Sequence, residues 1–204
     1  MASSTLLLFA QPTGHVLAAV TQVAASSAPQ KPDPFAGDFL PVRYLGDTTA
    51  TGYSTAQVFV PLDQLGIFAA DASKVPIAGA RGWMITQDSA KNNTLSPLPQ
   101  NQVSVSDTQG NKGINSITST GGGTIVLSGT PPSTQPVTCW VRIQPASTDP
   151  TQFGAAAQTF SASAQLASGK FSANITVPKV QGGNYWALIL VTGSTPRLET
   201  FTVT

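Results

Sequence analysis

The sequence predicts an all-β protein: a β-hairpin arm with a Pro-rich linker over residues 1–43, a small β-rich region over 44–100, and a β-sandwich over 101–204. Three observations predict it. The last hundred residues hold short runs rich in β-branched or aromatic residues, "NQVSVSD", "GTIVLSG", "PVTCWVRIQP", "KFSANITVP", "NYWALILVTG" and "RLETFTVT", separated by Gly, Pro, Ser and Asn turns. Two of the runs alternate with a period of two, placing Val137, Cys139, Val141 and Ile143 on one face and Phe171, Ala173, Ile175 and Val177 on another. Elsewhere, Gly and Pro interrupt every longer apolar stretch.

The N-terminal stretch "TLLLFAQPTGHVLAAVTQVA", Thr5 to Ala24, has the greasiness of an export signal or a membrane anchor. A signal needs a basic start and an unbroken apolar core, and "MASST" carries no Lys or Arg. A membrane helix needs about 20 apolar residues, whereas Gln11-Pro12-Thr13-Gly14 breaks this run early. Pro12 presets φ and Gly14 tolerates a positive one, so the stretch reads as a hairpin. On its first arm Leu6 and Leu8 face one way, Leu7 and Phe9 the other; on its second, strict alternation sets Val16 and Val20 against Leu17 and Ala19.

A hairpin apolar on both faces must be covered, by its own domain or by another subunit, with an atypical signal or uncleaved anchor as the third reading. The X-Pro steps at Pro29, Pro32 and Pro34 make a stiff tether and favour an arm. The expected interface is therefore Leu6, Leu7, Leu8, Phe9, Val16, Leu17 and Val20. Without a conventional signal, the expectation is cytoplasmic synthesis followed by assembly into a particle or surface structure.

In the middle region "STAQVFVPL" and "RGWMIT" read as strands and "LDQLGIFAADA" as one or two helical turns. In the last third, "YWALILV", Tyr185 to Val191, is apolar on both faces and reads as a central strand covered on both sides. The segments Ser26 to Asp38 and Asn111 to Gly123 are expected to stay outside the packed structure.

Charged residues form 9% of the 204, against roughly 25% in an average soluble protein. Ten basic and nine acidic side chains leave no footprint for nucleic acid or an anionic membrane. Weak charge also means weak repulsion between copies, which favours association. Cys139 is the only cysteine, so the chain can form neither an intrachain disulfide nor a cysteine-based metal site.

The ending "SGKFSANITVPKVQGGNYWALILVTGSTPRLETFTVT" resembles the last strands of bacterial immunoglobulin-like or fibronectin-like sandwiches. In these a G-x-F strand, a Gly-Asn-Tyr start to the next strand and a C-terminal strand recur. The resemblance implies an immunoglobulin-like sandwich in the C-terminal half and makes Tyr185 a structural tyrosine corner. Antibody-type hallmarks are missing: there is no Cys pair, and Trp140 directly follows Cys139. Such sandwiches occur in surface proteins, phage and phage-tail-like particles and polysaccharide-binding enzymes, so the resemblance leaves function open.

The residues offer little chemistry. His15 is the only histidine, and no Asp, Glu or Cys accompanies it in the first thirty residues, so it is expected to pack at the turn. No G-x-S-x-G elbow occurs. Asp33 and Asp38 lie on the linker, Asp63 and Asp71 could be united only by the fold, and Asp107 reads as turn chemistry. Gly121 to Gly123 lack the Lys-Ser/Thr of a phosphate loop, and the patterns at Asn92 and Asn174 matter only in a eukaryotic secretory path.

Aromatics remain. Trp140 and Arg142 fall on the wet phase of their strand, Trp186 faces opposite to Tyr185, and a stacking platform could use Trp140, Arg142, Trp83 or Tyr53. The expected function is that of a non-enzymatic structural or docking subunit, without cofactor or metal. It would serve a phage-like or contractile particle, a capsid decoration or a surface appendage, associating with copies of itself or other subunits through the hairpin. The alternative is a glycan-binding or adhesion module.

Overall fold

The computed structural model describes residues 4–22, 35–45, 55–71, 73–75, 77–88, 90–131, 136–149, 151, 153 and 156–204. The chain is all-β, and its strands pair antiparallel in the hairpins and ladders described below. It divides into two compact units, 1–42 with 60–98 and 43–59 with 99–204. Residues 60–98 thus group with the N-terminal hairpin, and residues 43–59 with the C-terminal strands.

Strands β1 (Ser4–Ala10) and β2 (Val16–Gln22) form the hairpin. The chain passes to the second unit within β3 (Phe35–Leu45) and returns within β4 (Thr55–Pro61), which pair as a two-stranded sheet. The Pro tether lies outside the described residues, apart from the four positions at its end that open β3. A 3-10 turn at Leu62–Gln64 leads into β5 (Leu65–Asp71), then a 3-10 segment at Ile77–Gly82 leads into the hairpin of β6 (Trp83–Gln87) and β7 (Asn93–Pro97).

The anticipated helix in "LDQLGIFAADA" is thus one 3-10 turn followed by a strand. Gly66 and the β-branched Ile67 are weak helix formers, and pairing with β1 decides the matter. Gly66 is required there: a Cβ would stand 2.3 Å from Cζ of Phe9.

The first unit's sheet runs β2-β1-β5, so the hairpin's first arm is a central strand. Leu7, Phe9 and Val16 pack with Ala70, Val75, Ala80 and Ile85 in one cluster. The turn is closed by Ala10 N–H donating to His15 O at 2.9 Å and Gly14 N–H donating to Ala10 O at 2.7 Å, with Gly14 at φ +77°. Gly14 O in turn accepts from Ile85 N–H at 2.7 Å, which ties the turn to β6. The second arm does not follow the expected alternation. Phe9 pairs with Val16 but Leu8 pairs with Ala18, so Leu17 is the extra residue of a β-bulge. The bulge puts Val16 on the core face with Leu7 and leaves Val20 on the opposite face, across from Leu6.

In the second unit, β8 (Val103–Ser106), β9 (Gly123–Gly129) and β12 (Phe171–Val177) form one sheet in the order β12-β9-β8. Strands β10 (Val137–Pro145), β11 (Gln158–Ala164), β13 (Gly183–Val191) and β14 (Arg197–Val203) form another in the order β11-β10-β13-β14. Both sheets feed one hydrophobic cluster. It holds the alternating sets of β10 and β12 expected from the sequence, together with Val103 and Val105 of β8, Ile125 and Leu127 of β9, and Ala187 and Ile189 of β13.

The tract Asn111 to Gly123 is packed, contrary to expectation. Ile114 and Ile117 are buried in this cluster, and Ser116 Oγ donates to Thr124 O at 2.9 Å. Two isoleucines among Asn, Ser, Thr and Gly are enough to anchor a loop whose polar residues satisfy its backbone.

Tyr185, at the start of β13, stacks on Phe201 with ring centroids 5.6 Å apart and donates its hydroxyl to Gln181 O at 2.7 Å. That bond fixes the corner leading into the strand.

Candidate functional site

Of the hairpin residues expected at an interface, Leu7, Leu8, Phe9, Val16 and Leu17 are buried in the chain's own structure. Leu7, Phe9 and Val16 are core because β1 is paired on both edges and the β6 hairpin covers their face, while Leu8, on the opposite face, is buried as well. Leu6 is half-buried, and Val20, 47% exposed, is the one large apolar side chain left exposed among the described residues. Ladder register places Leu6 between Val20 and Ala69, and Leu8 between Ala18 and Ile67. Ala18 and Ile67 are half-buried and Ala69 is exposed, so Leu6, Ala18, Val20, Ile67 and Ala69 form an apolar patch on this face, bordered at one end by the exposed Asp71.

The four expected platform residues are not brought together. Trp140 is 0% exposed and Arg142 is buried, donating from Nη1 to Thr159 Oγ1 at 3.1 Å. Both were expected on a wet face; instead that face of β10 is covered. Gln144, two residues on, is buried and spans to β4, accepting from Phe59 N–H at 2.8 Å and donating to Gln57 O at 3.0 Å. Phe59 packs edge-on against Phe153, with centroids 5.3 Å apart. The signal for this cover was present in β13: Leu188 and Leu190 stand opposite Arg142 and Trp140, so a strand apolar on both faces requires its neighbours to be covered as well. The Trp140 Nε1–H has no acceptor among the described residues, an orphan worth about 1–3 kcal/mol that marks a packing position. Trp83 is half-buried against the first unit's cluster, and Tyr53 lies outside the described residues.

The titratable groups are structural in their geometry. His15 is buried with Nδ1 2.9 Å from Thr13 Oγ1, and it bridges to Met84. Cys139 is fully buried, and desolvation pushes its thiol up to about 12. Asp71 accepts from Ser73 N–H and Oγ, which lowers its pKa, and Asp63 sits at the opposite end of β5. Asp88 and Asp107 are held below the ordinary carboxylate range, by Asn92 and Ala90 in one case and chiefly by Asn111 in the other. Among the described residues no group of three or more His, Cys, Asp or Glu is placed to hold a metal.

Two clefts remain. One, of about 320 Å³, lies in the first unit, with Phe9 and Ile85 as floor and Gln11, Gln87 and Asn93 at its mouth. The other, of about 190 Å³, lies in the second unit at the β13–β14 ladder, where Trp186 stands opposite Thr200 and Asn184 opposite Thr202. Sequence reading noted only which way Trp186 points; its neighbours are set by the β14 register. No family model matches the chain, and no curated protein and no solved structure matches it.

Proposed function

We propose that this chain is a non-enzymatic structural or docking subunit of a larger assembly, and that it associates through the outward face of its N-terminal hairpin. The observation that carries the reading is the patch of Leu6, Ala18, Val20, Ile67 and Ala69, apolar and uncharged on a sheet face. Association by this face needs no strand to be added to a neighbour's sheet. Strand β1 has no open edge, and the carbonyl of Leu17 on β2 already accepts from Arg81 Nε at 3.1 Å. The low overall charge, ten basic against nine acidic residues, supports the same reading, since it leaves little to keep copies apart.

The second unit fits the role as an immunoglobulin-like sandwich. In the run from β8 to β14, the first, second and fifth strands share one sheet and the third, fourth, sixth and seventh the other. The Tyr185 hydroxyl bond to Gln181 O supports the tyrosine-corner assignment.

Removing the hairpin is the wrong test, because it strips Leu7, Leu8, Phe9, Val16 and Leu17 from the core, a loss of about 10 kcal/mol that rivals a whole domain's stability. Light scattering after size exclusion, on the full chain and on Val20→Lys, avoids this. A mass above the monomer for the full chain and a folded monomer for the variant is the expected result. A full chain that stays monomeric across the micromolar range, or a variant that associates equally well, overturns the proposal.

A further inference from the structure

We propose that the outer face of β13 and β14 at Trp186 binds a neutral saccharide unit. This site is independent of the hairpin patch.

Trp186 sits at a boundary in its sheet. On one side its ladder partner is Gln144, whose carboxamide is buried beneath β4; on the other it is Thr200, which is exposed. Next along the same face come Asn184 and Thr202, also exposed. The indole is therefore half-buried, flanked by covered structure on one side and bordering the 190 Å³ cleft on the other. An aromatic held in this way is pre-ordered, so binding costs it little rotamer freedom.

The polar groups around the ring are all neutral. Thr202 Oγ1 donates to Asn184 Oδ1 at 2.9 Å, which orients the carboxamide and turns its Nδ2 hydrogens away from Thr202 as donors. Thr200 adds a hydroxyl that can donate or accept. The backbone beneath is pinned on both sides of Asn184, by its own carbonyl accepting from Ala146 N–H at 2.9 Å and by the Tyr185 hydroxyl bond. Among the described residues no charged side chain lines the cleft, so none of them compensates a phosphate or carboxylate.

An apolar ring face edged by hydroxyl and amide groups complements a pyranose, which presents a C–H face and a rim of hydroxyls. The volume lies below the roughly 300 Å³ at which pockets for larger ligands begin, which suits a single ring with the rest of a polymer lying over the surface.

Native electrophoresis of the full chain through gels containing hydroxyethyl cellulose, laminarin, galactomannan or dextran tests this, with tryptophan fluorescence as a second readout. Retardation by at least one polymer is expected, with the dissociation constant raised about tenfold or more in Trp186→Ala. Val20→Lys should be retarded like the parent chain, which separates this site from the assembly surface. Migration unchanged in all four gels overturns the proposal, as does a folded Trp186→Ala that binds as the parent does. Should that variant lose its near-ultraviolet circular dichroism, Asn184→Ala with Thr200→Ala decides: weaker retardation supports the site, and unchanged retardation overturns it.

Discussion

The loop between β6 and β7, "DSAKN", and the loop after β8, "DTQGN", lie in different units and share one construction. In each, the Asp Oδ1 accepts two backbone N–H groups at 2.9 Å, from Ala90 and Asn92 in one loop and from Gln109 and Asn111 in the other. In each, the Asn side chain donates back to Oδ2 and the Asn carbonyl accepts from the Asp N–H at 3.0 Å. The fourth position has a positive φ in both, +64° at Lys91 and +88° at Gly110. An Asp and an Asn four residues apart thus encode the loop locally, and the residue at positive φ affects its stability without changing its form. Surroundings differ: Asp88 is exposed and Asp107 is buried.

The turn at Gly14 extends the comparison, because there the same sign of φ is combined with close contact. A Cβ on Gly14 would stand 2.0 Å from Ile85 O, whereas one on Gly110 would meet nothing within 4 Å. Gly14→Ala should therefore cost about 3 kcal/mol or more, from backbone strain plus the broken seat of β6, as read by urea denaturation. A loss equal to that of Gly110→Ala would show that the contact is not felt. Gly110→Lys is next, with a loss of about 1 kcal/mol from conformation alone. Its mirror image, Lys91→Gly, should raise stability by about 0.5–1 kcal/mol, and a decrease there would break the equivalence of the two loops.

The smallest effect is on acid sensitivity. Hydrogen bonds lower the carboxylate pKa of Asp88 and Asp107 in the fold, so their contribution is complete above the unfolded value near 3.9 and is lost as pH falls through the lower folded values. The urea midpoint should hold from pH 6 to about 5 and decline below about 4. Asp88→Asn with Asp107→Asn should flatten that decline; an equally steep decline in the variant would remove the loops from the acid response.

How legible each region was depends on whether its pattern is local. Strands β10, β12 and β13 were readable because β-branched and aromatic residues alternate or run continuously between turn residues. Strand β11, "QTFSASA", was not: Phe160, Ala162 and Ala164 share one face and Thr159, Ser161 and Ser163 the other, but Ala and Ser make a weak strand pattern and pairing with β10 makes it a strand. The bulge at Leu17 was hidden for the same reason: it exists only relative to the register of Leu8 and Phe9, and it puts Val16 and Val20, which strict alternation would keep on one face, on opposite faces. The site at Trp186 was half legible, the indole from its strand and its Asn and Thr companions only from the neighbouring strand.

By itself, then, the sequence determined the all-β class, the N-terminal hairpin and the alternating core of the last strands, because strand periodicity and turn chemistry act over a few residues. Tertiary structure alone decided that the hairpin is core on its Leu7 face and leaves Val20 exposed on the other, and that Trp140 and Arg142 lie under cover. It alone set the bulge and gathered Trp186, Asn184 and Thr200 on one surface. Those outcomes depend on which strand lies beside or above which, and contacts between residues far apart in the chain leave no periodic trace in either partner.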